Sequence, residues 1–158
     1  MYDTDDGQYV AFGPSGDSKR TRMIGADVAV GWLDRASGKG FVHDHYMTSK
    51  SACTAGKGVC QDTQSSRGTN NIRLLNAALV NDYVMLTYQR PLKAQDEQDK
   101  SIITNGTQAV IWAVGPLSSD NEPTYHKLRN KGWSYYNIFK KCCVILVLTF
   151  CFYFLFYR

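Results

Sequence analysis

Catalytic signatures are what this 158-residue sequence lacks. It has no G-x-S-x-G elbow, no P-loop, no H-E-x-x-H and no C-x-x-C, so the common hydrolase, nucleotide, zinc-protease and dithiol chemistries have no motif to rest on. Histidine is scarce, with His43, His45 and His126 the only three. No βαβ alternation and no long amphipathic helix is present, which argues against a doubly wound nucleotide-binding fold. Charge is not concentrated either. The formal net charge is +4 and the basic residues are spread along the chain, so no nucleic-acid partner is expected. The start, MYDTDDGQYV, has neither a basic n-region nor an apolar h-region, and no signal peptide is visible.

Aromatic residues and glycines are plentiful. Ten Tyr, seven Phe and three Trp favour strands, and 13 Gly fit many turns. The length suits one domain with a real core. Residues 8–13 (QYVAFG) predict a short strand ending in a turn at Gly13–Gly16. Residues 22–33 give the next strand, β-like from Ala26 onward, with a turn at Asp34–Gly38. Residues 40–47 alternate, placing Phe41, His43, His45 and Met47 on one face and Val42, Asp44 and Tyr46 on the other. Residues 48–70 read as a long surface loop, and residues 71–80 as a strand pair or a short helix. Tyr83–Tyr88 is a clear strand, with a tight turn at Asn81-Asp82 before it and a stop at Pro91. Residues 93–101 read as a solvated charged loop. Residues 108–114 form the last recognisable strand, which Gly115-Pro116 is expected to break. Short strands separated by turns predict an antiparallel sandwich or barrel.

The five cysteines fall into two groups. Cys53 and Cys60 would close a short loop as a disulfide in an oxidising compartment, the alternative being two free loop thiols. Asn105-Gly106-Thr107 is a glycosylation sequon, usable only in the secretory pathway. Together with the missing leader, these features lead us to treat residue 1 as a late start within a longer precursor. Cys142, Cys143 and Cys151 lie in the apolar run 142–157, flanked by Lys140, Lys141 and Arg158. Three readings of that run stand: a C-terminal membrane anchor, a translated extension foreign to the domain, and a core strand. The organisation is therefore a β-domain over 1–132 and an apolar tail over 133–158.

His43 and His45 share a strand face and could chelate a metal, with Met47 beside them. No third strong ligand is evident, and the alternative is an exposed or partly packed pair. On spacing alone, Met23 is a packing residue and His126 a loop histidine.

The segments YVAFGPSG, MIGADVAVGWLDRASGKG, NNIRLLNAALVNDYVMLTYQRPL and AVIWAVGP followed by YH resemble a DOMON domain, in particular those of the animal Skeletor-type proteins. The resemblance runs from about Gln8 to about Gly132. It implies an immunoglobulin-like antiparallel β-sandwich, extracellular or lumenal, of a superfamily that binds haem or sugars. In its haem-binding branch a b-type haem is held by an early Met and a late His. The early motif MIGAD carries the Met role to Met23, and EPTYH carries the His role to His126. Thioether plus imidazole gives six-coordinate iron without an open position, which suits electron transfer.

The sequence departs from the family pattern at both ends. It begins almost at the strand QYVAFG, which implies an N-terminally truncated domain, and no closing strand is recognisable after Gly132.

The resemblance thus implies an extracellular haem b electron-transfer module with Met23 and His126 as axial ligands and a redox partner. The competing reading is a non-catalytic extracellular module that binds a small ligand such as a sugar, or a matrix component, without haem. A membrane-anchored fragment without independent activity is the third. None is a self-sufficient enzyme, since substrate chemistry would need a second domain.

Overall fold

The computed structural model describes residues 7–80, 83–127 and 131–136, with only the backbone given at Tyr83 and Tyr136. Eight strands form: β1 (Gln8–Pro14), β2 (Asp27–Asp34), β3 (Lys39–Met47), β4 (Val59–Gln61), β5 (Arg73–Val80), β6 (Tyr83–Gln89), β7 (Gln108–Pro116) and β8 (Lys131–Tyr136). No α-helix occurs among the described residues, and a 3-10 turn at Asp62–Gln64 follows β4. The six-stranded sheet has the order β4-β3-β2-β1-β7-β8, and β5-β6 forms a separate two-stranded layer. Every pairing between these strands is antiparallel. The expected β-sandwich is therefore what the chain forms.

Register explains the two faces of the large sheet. Tyr9 lies opposite Trp32, and Ala11 opposite Val30. Val30 lies opposite His43, and Val28 opposite His45. Side chains alternate along a strand, so these residues share one face, with Ile111 and Ala113 of β7 beside them. Its core is Tyr9, Ala11, Ala26, Val28, Val30 and Met47. The opposite face carries Ala29 and Val42, which pack with Ile72, Leu74 and Tyr88 of the second layer.

Glycines set how closely the layers meet. A Cβ on Gly40 would fall 2.1 Å from the Ala77 Cβ, and one on Gly31 2.7 Å from Leu86 Cδ1. The β5-β6 hairpin thus rests directly on backbone of β2 and β3. At Gly38 the requirement is conformational: φ is +68°, and its amide donates to the Asp34 carbonyl to close the turn before β3.

Several sequence expectations need correction. Residues 71–80 contain one strand, β5, with a register irregularity between Leu74 and Asn76. Isolated pattern could not decide this; pairing with β6 and burial against Gly40 do. Residues 48–70 are not all surface loop, because β4 pairs with β3 and Asp62 is buried. β7 runs through Gly115 and Pro116, opposite Tyr9 and Gln8. A terminal proline needs no ladder hydrogen on its free side. β8, where no closing strand was recognisable, pairs with β7 across residue 132. Gly132 lies under the Trp112 indole, where a Cβ would come within 2.5 Å of the ring. Cys53 and Cys60 are disulfide-bonded. No described helix is long and apolar enough to cross a membrane. The 142–157 run and the Asn81-Asp82 turn lie outside the described residues, although Val80 pairs with Tyr83 on either side of that turn.

Gly40→Ala is expected to destabilise the domain by about 1–3 kcal/mol through overpacking against Ala77. Urea melts of Gly40→Ala, Ala77→Gly and the double variant check this. The double variant should regain part of the loss, and strict additivity would show that the contact does not limit packing.

Candidate functional site

The Tyr9 face is covered by two loops, which carry the residues singled out by sequence. Met23 begins a tight turn in which the Ala26 amide donates to the Met23 carbonyl (2.9 Å), and Gly25 sits at φ +81°. That φ is open to glycine at little cost. The turn is held to the end of β3 by Gly25 N–H to Met47 O and Met47 N–H to Ala26 O. The half-buried Met23 side chain packs on the Tyr9 cluster.

The second loop follows β7. Leu117 packs on the same cluster. The Tyr9 hydroxyl donates to Thr124 O (3.0 Å), and Gln61 Nε2 donates to Glu122 Oε1 (3.1 Å). His126 lies two residues beyond Thr124, half-buried, its ring stacked on that of the exposed Tyr125. Met23 thus packs on the Tyr9 cluster itself, and His126 follows a loop carbonyl that the Tyr9 hydroxyl binds. Burial, followed by the nearby Lys131 charge, pulls the His126 imidazole below its ordinary range. The shift is toward the neutral form, which is the form that ligates metal. Its Nδ1 is buried without a hydrogen-bond partner.

His43 and His45 lie further along the same face. Their rings are near parallel with centroids 6.4 Å apart, and His43 also meets the edge of Trp32. His45 is only 1% exposed, so the expectation of an exposed or partly packed pair fails for it. His45 lies between Val28 of β2 and Gln61 of β4 in the sheet, which explains this burial. Burial lowers the His45 pKa to about 4, and His43 is lowered by burial against the opposing pull of Glu122. No group of three potential metal ligands among the described residues includes either histidine. Trp32 Nε1, His43 Nδ1 and His45 Nε2 are all buried without a partner. β8 adds aromatic surface to this face: Trp133, opposite Ile111, is 60% exposed, and Tyr135 packs edge-on to it.

On the opposite side of the large sheet lies a feature that the sequence reading missed. Asp27 and Asp44 project toward the second layer, and Asp62, Asp96 and Asp99 join them from loops. Asp27 Oδ2 accepts from Arg90 Nη2 (2.6 Å) and from the Lys100 amide (2.5 Å). Residues 93–101 are thus not simply a solvated loop. Asp96 accepts from the Thr69 amide and hydroxyl, and Asp99 from Asn71 Nδ2 (2.9 Å) and the Gln95 amide (2.6 Å). Burial, and then the Asp27 charge, push Asp44 well above the usual carboxylate range and Asp62 up to about 7. The spacing D-x-x-D over Asp96–Asp99 was a weak signal. The partners on β2, β3 and the 3-10 turn are distant in sequence.

The fold and its loop-covered face define an antiparallel β-sandwich module. The DOMON domain family matches residues 2–115, and the chain belongs to that family. It is 46% identical over 123 residues to Protein Skeletor, isoforms B/C, of Drosophila melanogaster, covering 78% of this chain and 16% of that protein. It is 46% identical over 123 residues to isoforms D/E, of which 8% is covered. The chain thus spans under a fifth of the length of these curated relatives. No solved structure matches it.

A buried neutral histidine carries a defined pH signature. The folded pKa of His45 lies below the unfolded value, so the unfolded state binds the extra proton between them. Stability from keeping His45 neutral is complete above about pH 6.5 and is lost as pH falls toward about 4. Thermal melts across that window should show a steeper acid loss for wild type than for His45→Phe. Parallel curves would mean that His45 stays neutral in neither state or is not buried.

Proposed function

We propose that this chain is a ligand-binding DOMON module of the secretory pathway whose working surface is the Tyr9 face, and that its ligand is haem b held by Met23 and His126. The observation that carries this reading is that two loops both pack on the Tyr9 cluster, through Met23 and Leu117. One loop brings a half-buried thioether packed on the Tyr9 cluster, and the other a half-buried imidazole two residues beyond the carbonyl that Tyr9 binds. The donor set fits iron: a soft sulfur and an imidazole nitrogen that lacks a hydrogen-bond partner at Nδ1. Bound haem would supply one-electron exchange, and Met23 and His126 are the residues that would hold it. Around it the chain's own residues orient and exclude: Gly25 fixes the Met23 turn, Tyr125 stacks on the imidazole, and the aliphatic cluster keeps water away. A separate redox partner would deliver or accept the electron.

Two further features support the compartment. The Cys53–Cys60 disulfide suits an oxidising environment, and Asn105 is exposed in the β6–β7 loop, where a glycan could attach.

The second reading is a haem-free module for a small ligand such as a sugar. The exposed Tyr125 (73%) and Trp133 favour it, since flat aromatic surface stacks on sugar rings and the buried Trp32 Nε1, His43 Nδ1 and His45 Nε2 have no protein partner.

An absorption spectrum of the full chain, disulfide-bonded and mixed with hemin, separates the two. Sharp low-spin bands on dithionite reduction, lost in both Met23→Ala and His126→Ala, are the expected result. A chain shown to be folded that leaves hemin free overturns the haem reading and puts the sugar-type module first.

A further inference from the structure

The acidic pocket on the second-layer side has an imbalance that protein groups do not settle. Five carboxylates gather there, and the ion pair Arg90–Asp27 is the one salt bridge among them in the described residues. Asp44 and Asp62 are each 1% exposed. The buried oxygens without any donor are Asp27 Oδ1, Asp44 Oδ1, Asp62 Oδ1 and Oδ2, Asp99 Oδ1 and Asn71 Oδ1, six acceptors against two unpartnered buried donors, Arg90 Nε and Nη1. An orphaned buried acceptor costs its full desolvation, and Asp62 leaves both of its oxygens in that state. An acidic cluster with ordinary hydrogen bonding would have drawn in amides or hydroxyls at these atoms.

We propose that this pocket is a binding site for a hard divalent cation of the calcium type, held by Asp27, Asp44, Asp62 and Asp99 with Asn71 beside them. Asp27, Asp44 and Asp99 each offer an oxygen within 4.8 Å of the other two, as do Asp62, Asp96 and Asp99. Oxygens bound to one calcium at about 2.4 Å lie at most about 4.8 Å apart, so each triad has the spacing of a single centre, and Asp99 is common to both. All of the donors are oxygen, which selects calcium or magnesium over zinc or copper. Several carboxylates converge there from two strands, a turn and a loop, largely out of water, and this favours calcium over the octahedral, water-retaining magnesium. Asp99 and Lys100 also border a surface cleft of about 340 Å³, which gives an ion a route from solvent.

What the cation would join is visible in the contacts. Asp27 and Asp44 belong to β2 and β3, Asp62 to the turn after β4, and Asp99 to the β6–β7 loop. The two loops already touch through Thr69–Asp96, Asn71–Asp99, Gln98–Ser65 and the exposed Arg67–Glu97 pair. A central cation would fasten both to the sheet.

The test uses the full chain stripped with EDTA and melted with and without calcium chloride at constant ionic strength. At calcium near 100 times Kd, Tm should rise by roughly 5–10 °C. Terbium, which takes calcium sites, should show emission sensitised through Tyr88, and calcium should displace it. Asp62→Asn removes an uncompensated buried charge, so its cation-free Tm should hold or rise while its calcium response disappears. Exposed Glu97→Gln should keep the full response. A folded wild type with neither a calcium shift nor terbium emission overturns the proposal, as does Asp62→Asn that retains the whole calcium shift. A magnesium shift equal to that of calcium would overturn the preference for calcium.

Discussion

The sandwich turns on one buried carboxylate. Asp27 opens β2, and through a single oxygen it binds the Arg90 guanidinium at the end of β6 and the Lys100 amide of the following loop. Three parts of the chain with no sequence proximity are thereby joined: the large sheet, the two-stranded layer and the long crossing to β7. Side chains at both ends of the ion pair are almost wholly removed from water. Such a pair is weak evidence for net stability, because desolvation offsets much of the attraction. It is strong evidence for position, since moving either partner leaves a bare charge inside the protein. The register of β2 is therefore held at its first residue. Everything placed by that register follows, including the row Val28, Val30 and Trp32 beneath the two loops.

Close layer contact is the second consequence. With Asp27 pulled toward Arg90, the hairpin must approach the backbone of β2 and β3, and Gly31 and Gly40 make room where a side chain would not fit. The same approach that seals Ala29, Val42, Ile72 and Tyr88 also traps Asp44 beside Asp27. The acidic pocket is thus a by-product of how the layers are fastened, and its carboxylates lose water because the hairpin sits down on them.

The strands were largely legible because their signals are local. The alternation in GFVHDHYM assigned both faces of β3 correctly, and turn residues bounded β1, β2 and β6. β8 was not legible, because KGWSYY becomes a strand through its pairing with β7 and the fit of Gly132 under Trp112, neither of which is a local property. Of the site residues, Met23 and His126 were named through resemblance, with no sequence pattern linking them; Met23 packs on the Tyr9 cluster, and His126 stacks on Tyr125. The acidic pocket was invisible for the opposite reason. Asp96 and Asp99 sit in KAQDEQDKS, whose charge density reads as solvated surface. Only the long-range meeting with Asp27, Asp44 and Asp62 turns them into buried groups. Sequence charge reports solvation only where the fold leaves the residue in water.

β3 connects the two regions. His43 and His45 face the loops that carry Met23 and His126, while Asp44 between them faces the acidic pocket. Consecutive residues of one strand cannot move independently, because a register slip would exchange both faces at once. Whatever neutralises Asp44 therefore also steadies the backbone that presents the histidines. Tyr46 extends the same coupling, since its hydroxyl donates to Gly56 O within the disulfide-closed loop, and Met47 bonds to the Met23 turn through its amide and carbonyl. Asp44 on one side of this strand is therefore a single peptide unit from each of the two histidines on the other.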